Sequence, residues 1–510
     1  MKIIKSYLFI LLLVAIAVSC KKDLGNYSYQ KADTPQIDTL GLGSTFNVEQ
    51  YSNLRVAPVI RYGGDTANLK YQWFTYVKSL SSPAIGTPKL IAESKAFDQK
   101  ISIAPGSYYL ELIVTDKTNQ YKNTIRFILN VQASIETGWL VLHSKNNETD
   151  VDFIVTRSIL PGVNEKRMRD LFLSNTGSKL KGAGQMIGFA RRSNSDFNWI
   201  TVATNQEMRR MHGFTFAQLA KDGELFRRAG TVINPQAYMN NSDHEMLVNN
   251  GLLHPLQWGN ALDAFFSGAY RGDYYLAPYF AFNNYSAMGI WVYDQKNRRF
   301  MYTTSTLTNL DFVQCKPPAN GSQPFNLSAV GKDMLFMDRG MNNYAYCFFK
   351  DPSGTGRYLY IVNITKSADD GLMAVSADDM SALPEITSAR YFQVGSLGNV
   401  ALYATDKAIY RYDYSGTKQA YLNFNGFGAG ETITGMKIFK PTANSNAPTT
   451  DYVATNNTVV FVSTWDGTQG RVYELGMNLA SGIINPTPVH VYDGFGQVTD
   501  MIFKFRGTGI

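Results

Sequence analysis

Cysteine and histidine are scarce in this chain, three and five in 510 residues, which leaves little material for thiol or metal chemistry. No C-x-x-C pair occurs. His244-Glu245 begins a zinc-binding H-E-x-x-H pattern, but Val248 stands where the second histidine is needed, so that metalloprotease motif is excluded. No G-x-S-x-G elbow is present, and with it goes the strained turn that exposes a hydrolase serine. Charged residues are also sparse, at 17% of the chain, below the ~25% of an average soluble protein. The apolar share of 45% excludes disorder driven by charge. A net charge of +7 without one long Lys/Arg run is too dilute for a nucleic-acid partner. After residue 20 no run of eighteen apolar residues exists, which excludes a later membrane-spanning helix.

What is present begins at the N-terminus. Lys2 and Lys5 precede an uncharged run from Tyr7 to Val18, too short to cross a bilayer and suited to the apolar core of a secretion signal. The run ends at Ala17-Val18-Ser19-Cys20, which resembles a bacterial lipobox, where the peptide is cut before the cysteine and the thiol is acylated. Residues 1–19 are therefore read as a signal peptide, and Cys20 as a lipid anchor that holds the mature protein on a membrane without spanning it. Residues 20–36 read as the anchor and a polar tether. Cys315 and Cys347 then lie in a compartment that permits a disulfide, but large cores need no such staple, and two free buried thiols are expected.

From about 37 to 132 the pattern is strict alternation, the mark of half-buried strands. Tyr108, Leu110, Leu112 and Val114 share one face. A turn at Asp116-Lys117-Thr118-Asn119 follows, and Ile125, Phe127, Leu129 and Val131 line the return strand. Tyr71-Gln72-Trp73-Phe74 supplies the large aromatic that a sandwich core requires. The Y-Q-W-F strand, and Gly106-Ser107-Tyr108 leading into L-E-L-I-V-T-D and its hairpin, resemble the PKD-like immunoglobulin-type domain. With the lipobox, the D-L-G-N-Y tether and the G-W-L-V-L segment at 138–142, the chain is similar to the PKD-like lipoproteins of Bacteroidetes. The resemblance implies a partner, a SusC/SusD-type outer-membrane importer, and a cargo of peptides or glycans, with peptides favoured.

Beyond residue 135 many short strands are separated by Gly, Asn and Asp turns. They include 138–143, 196–204, 274–282, 289–294, 333–338, 358–364, 401–405, 408–414, 458–466 and 471–475. A weak repeat, Ile386-Thr387-Ser388, Ile433-Thr434-Gly435-Met436 and Val498-Thr499-Asp500-Met501, precedes hydrophobic strands at spacings compatible with four-stranded blades. Short helical stretches are expected near 164–173 and 205–221. The fold expected is all-β, a PKD-like β-sandwich over 37–132 followed by a β-propeller of about seven blades over 135–510.

Candidate chemistry is thin. Asp243, His244 and His254 can be brought together only by folding, and a hydrogen-bonded loop histidine is the expectation. Gly426-Phe427-Gly428-Ala429-Gly430 and Ser353-Gly354-Thr355-Gly356 lack phosphate-loop spacing and are read as turns. Asp369-Asp370 and Asp378-Asp379, each in Ser-Ala-Asp-Asp, are read as turn and cap residues of polar loops. The densest feature is aromatic. Tyr270, Tyr274, Tyr275, Tyr279, Phe280, Phe282, Tyr285, Trp291 and Tyr293 crowd one stretch. Alternation sends half of them to the core and half to a groove suited to peptides or sugars. Tyr274, Tyr275, Tyr279, Phe282, Tyr285 and Trp258 are the candidate ligand residues. The function expected is a lipid-anchored outer-membrane protein, exposed at the cell surface, that binds peptide or oligosaccharide for the importer. No catalysis, cofactor or metal is assigned. A surface hydrolase and a purely structural importer subunit are the rival readings.

Overall fold

The structure is a computed structural model that describes residues 34–505 apart from position 51 and the segments 79–86, 104–105, 133–136, 160–164, 192–197, 241–243, 258–264, 283–287, 305–309, 318–322, 366–372 and 442–454. Cys20 and the segment read as a signal peptide lie outside the described residues. The chain separates into two compact units, one ending at Gln132 and the other running from Ala133, with 102–105 grouped with the second.

The first unit is a sandwich. Its larger sheet orders Thr45–Glu49, Lys122–Gln132, Gly106–Asp116, Leu69–Val77 and Lys89–Ala92, and two short pairs complete it, Gln36–Asp38 with Val59–Arg61 and Asn53–Val56 with Phe97–Lys100. Alternation works as expected. Leu110 faces Phe127 across the central hairpin, and Leu110, Leu112, Val114, Phe127, Leu129 and Val131 are buried. Trp73 anchors the core, its ring 5.5 Å from Phe97 and 6.4 Å from Phe127. Its indole Nε1 donates to Ser94 O at 2.9 Å, so burial leaves no polar atom of the ring unpaired.

In the second unit, seven antiparallel sheets follow one another among the described residues. Gly138–Lys145 opens the first sheet, flanked by Glu148–Val155 and by the last strand of the chain, Gln497–Lys504, with Trp139 opposite Phe503. The other six open with Gly184–Arg191, Pro235–Asn240, Ala281–Phe282, Asp333–Arg339, Tyr391–Val394 and Thr432–Ile438, and add strands outward in chain order. The opening strands of the later sheets and the last strand of the chain, which edges the first sheet, bond through side chains. Lys437 reaches Asp500 at 2.6 Å, Asp500 accepts Ile187 N–H at 3.0 Å, and Gln393 accepts Ile438 N–H at 3.0 Å.

The cores lie between the sheets. One cluster joins the first sheet to both the second and the seventh, through Leu142, Phe153, Phe189, Ile200, Phe461 and Phe495 among others. Five more join each later neighbouring pair, second with third through to sixth with seventh. This cyclic sequence of contacts is β-propeller-like. Pairing the last strand with the first sheet satisfies an edge that would otherwise present unpaired backbone groups.

Two expectations about elements are corrected. Of 274–282, only Ala281–Phe282 is strand, because Pro278 has no N–H to give a ladder. The stretch 205–221 is not helical but contributes two strands, Met208–His212 and Gln218–Lys221, to the second sheet. Met208–His212 is an inner strand with both faces covered, Met208 packing in the core shared with the third sheet and Met211 in the core shared with the first, so Met208, Arg210 and Met211 are all buried at a spacing that imitates a helix. Near 164–173 a strand, Lys166–Met168, is followed by one short helix, Leu171–Thr176. Ile433 of the repeat lies in an opening strand and Val498 in the last strand of the chain, whereas Ile386–Ser388 is a 3-10 turn just before an opening strand.

Candidate functional site

A cleft of about 470 Å³ is lined by Glu385, Lys407, Ala408, Tyr410, Leu422, Asn425 and Phe427 to Glu431. The sixth sheet supplies its floor. Tyr410 stands opposite Tyr403 on the adjacent strand, and the two rings stack at 5.1 Å with planes 9° apart. Tyr403 Oη donates to Pro384 O at 2.6 Å, fixing the turn that presents Glu385. Glu385 holds a left-handed backbone, φ 49°, uncommon for a residue with a side chain. Burial, with the neighbouring Glu385 carboxylate, pushes the Tyr410 hydroxyl's pKa up.

The opposite wall is the glycine cluster that its sequence marks as a turn. Gly428 N–H donates to Tyr473 Oη at 3.3 Å, and Glu431 N–H closes the turn on Gly428 O. A Cβ on Gly428 would lie 2.3 Å from Glu431 Oε1, so the loop can lie this close to the carboxylate only as glycine. Glu431 is buried and accepts from Thr464 Oγ1 at 2.6 Å, Arg471 at 2.9 Å and Tyr473 Oη at 2.9 and 3.0 Å. Phe427 packs edge-on against Phe424 and Tyr473. Lys407 Nζ donates to Glu431 O, tying the turn of the sixth sheet to this loop. The cleft therefore offers an apolar centre, Leu422 and Phe427, between an exposed carboxylate and an exposed ammonium on a braced frame.

The aromatic residues proposed from sequence do not form one surface. Tyr274 is a core residue, 6% exposed, and is removed from the ligand set. Its hydroxyl donates to Tyr270 O at 2.8 Å and accepts Leu253 N–H at 3.3 Å, and burial pushes its pKa up to about 12. Tyr275 is 43% exposed, lies over Gly251 and accepts from Gln236 Nε2 at 2.9 Å. Tyr279 is half-buried against Phe336, and Phe282 lies under the Arg339 guanidinium at 5.0 Å. Tyr285 and Trp258 lie outside the described residues.

The remaining candidates are structural. His254 is buried, its Nδ1 3.0 Å from Ser267 O, and burial lowers its pKa. Asp243, proposed as its neighbour, lies outside the described residues. Glu245 is fully buried between the second and third sheets, taking bonds from Trp199 Nε1 at 2.6 Å, Arg210 at 3.0 Å and Tyr238 Oη at 2.6 Å. Desolvation raises its pKa against the pull of Arg210. Asp378 and Asp379 end a strand, Ala374–Asp379, rather than sitting in a loop. Asp378 pairs with Lys418 at 2.7 Å, and Asp379 caps Ser381 N–H at 2.8 Å. Asp369-Asp370 lie outside the described residues. Cys315 and Cys347 are free and buried in one core cluster, and burial pushes both thiols up.

One cluster had no sequence signal. His143, Asp152 and Asp170 hold ligand atoms within 4.8 Å of one another. Each is already engaged. Gly496 N–H donates to His143 Nδ1 at 3.2 Å, which leaves the proton on Nε2, facing Asp152 at 3.0 Å. Arg167 pairs with Asp152 at 2.6 Å and Lys179 with Asp170 at 2.7 Å. Two carboxylates matched by two cations form a closed ionic network, and a metal would have to displace them.

Comparison with known proteins gives distant structural likenesses and one family match over part of the chain. A quinoprotein alcohol dehydrogenase-like protein of Bacteroides thetaiotaomicron is 12% identical, over 92% of this chain and 99% of its own, with a TM-score of 0.49. Hsv2 of Kluyveromyces marxianus is 6% identical over 70% and 99%, at 0.39, and AztD of Citrobacter koseri 9% over 85% and 98%, at 0.37. None of these carries an argument about function. No curated protein matches the chain. The model of the PKD-like family matches residues 20–184, a span that begins at Cys20 and takes in the sandwich and the opening strands of the second unit.

Proposed function

We propose that this chain is a lipid-anchored protein of the outer-membrane surface whose propeller-like unit binds a nutrient molecule, peptide or glycan, for a SusC/SusD-type importer, and that it works by binding rather than by catalysis. The observation that carries this reading is the braced cleft of the sixth and seventh sheets. Its apolar centre and its two opposite charges are those of a recognition site. The sequence up to Cys20 supplies the address, and the PKD-like match that starts at that cysteine is in keeping with a mature chain beginning there.

Copurification tests it. The protein is expressed in its native membrane, outer membranes are solubilised, and the complex is captured through a C-terminal tag. A large TonB-dependent partner should be retained by the wild type. Cys20→Ala should leave the folded protein in the soluble fraction without that partner. Membrane attachment of Cys20→Ala after a carbonate wash, or capture of the wild type without any importer, refutes the proposal.

A further inference from the structure

From the chemistry of the cleft we infer that its ligand is an extended peptide, added as a strand to the free edge of Ala420–Phe424, with an apolar side chain beside Leu422 and a cationic group facing Glu385. This rests on the reading of the protein as a binding module and specifies its ligand class.

Three features point to peptide over sugar. Ala420–Phe424 is the outermost strand of the sixth sheet, bonded to Ile409–Tyr412 on one side, so its other edge has backbone groups that no strand of the described residues pairs. Such an edge is a template for an added strand. Its side chains alternate over Ala420 to Leu422, up to the bulge that inserts Asn423 between the partners of Tyr410 and Ile409. Leu422, 55% exposed, turns toward the cleft, while exposed Tyr421 turns to the other face beneath Arg411. The rings of the cleft, in contrast, are poor platforms for a sugar. Tyr410 is buried and stacked on Tyr403, and Phe427 is held edge-on by two neighbours. The charges then set polarity. The Lys407 ammonium is engaged by Glu431 O, and the Glu431 carboxylate faces Arg471, which leaves the exposed Glu385 as the cleft's acidic group for a lysine, arginine or N-terminal amine.

The test uses the purified full-length protein and an octapeptide alternating leucine and threonine with one central lysine, followed by fluorescence anisotropy. Three comparisons read out the geometry. The same peptide with glutamate for lysine should bind more weakly by roughly two- to fivefold, and Glu385→Gln should erase that preference, since an exposed pair is worth only a few tenths to one kcal/mol. Leu422→Ala should weaken the lysine peptide about fivefold or more, as truncating an apolar anchor does. N-methylation of alternate amides on the edge-facing side should abolish binding, while N-methylation on the other side should not. Both substitutions are at exposed positions, and unchanged melting temperatures are the control.

Binding of maltoheptaose that competes with the peptide and is lost in Leu422→Ala overturns the inference in favour of a sugar site. Peptide affinity indifferent to both variants and to both methylation patterns overturns it as well. Failure to bind peptide while the importer still copurifies overturns this inference alone and leaves the wider reading standing.

Discussion

Glu474 lies on the third strand of the seventh sheet, Gly470–Gly476, and is buried at the seam with the first sheet. Ser158 Oγ donates to its Oε1, and Tyr492 Oη donates to its Oε2 at 3.3 Å. Desolvation pushes its pKa from an ordinary 4.5 up to about 7, and the Glu165 carboxylate adds to the rise, while bonds from Tyr492 and Thr156 oppose it. The folded state therefore binds the proton more tightly than the unfolded chain. The contribution of this group to stability is full below pH 4.5, falls as the pH climbs toward about 7, and stays low above that. The gap corresponds to about 3 kcal/mol of differential stabilisation between the two protonation states. Glu474→Gln keeps a donor and an acceptor in the same place but cannot ionise. The variant should match the wild type at pH 4.5 and exceed it at pH 8.5. At about 2 °C or less per kcal/mol for a unit this large, the difference in melting midpoint should grow to roughly 5 °C. Parallel thermal scans across that range measure it, and subtracting the two curves cancels the other titrating groups, including His254. A difference that does not change with pH refutes the assignment of a buried, protonated carboxyl at this seam.

Tyr274→Ala should cost about 3–5 kcal/mol, in the range of large aromatic deletions in a core, whereas Tyr275→Ala should stay within about 1 kcal/mol; chemical denaturation distinguishes them, and equal losses would contradict the burial described for the two. Arg210→Ala strands the Glu245 carboxylate between the second and third sheets and should destabilise by about 3–5 kcal/mol. Adding Glu245→Gln, which removes the charge and keeps an acceptor for Trp199 and Tyr238, should recover part of that loss, and a double variant no better than the single one would show that packing of Arg210 on Trp199 and Phe266, not its charge, carries the effect.

Much of the architecture was legible because a strand writes its burial into local order. In the sandwich, Leu110, Leu112, Val114 and Phe127, Leu129, Val131 alternate as the core requires. In the second unit most strands expected from sequence are there, with ends that shift by a few residues, because turns of Gly, Asn and Asp delimit them. The reading failed where two local signals coincide. Tyr274-Tyr275 through Phe282 is rich in residues that favour strands, yet Pro278 and the packing of Tyr274, Leu276 and Ala277 into two different cores leave most of it irregular. Cores on both faces of Met208–His212 bury Met208, Arg210 and Met211, at spacings a helix would also give.

The site was far less legible. Glu385, Lys407, Tyr410, Leu422 and the 427–431 loop each have an ordinary local reading as turn, cap or strand residue, and they meet only because consecutive sheets stack on one another. Gly428 shows the difference. Its turn can be read from sequence, but the carboxylate of Glu431, 2.3 Å from where a Cβ would stand, is held there by Thr464, Arg471 and Tyr473 from the next sheet. By itself the sequence determined what depends on neighbours along the chain, namely strand periodicity, turn chemistry and the absence of cysteine, histidine and serine motifs. Only the tertiary structure decided which faces meet. It joined Gln497–Lys504 to Gly138–Lys145, buried Tyr274 while exposing Tyr275, set Ser158 against Glu474 and gathered the cleft, because the energy of contact between distant residues is carried by packing and desolvation that no local pattern encodes.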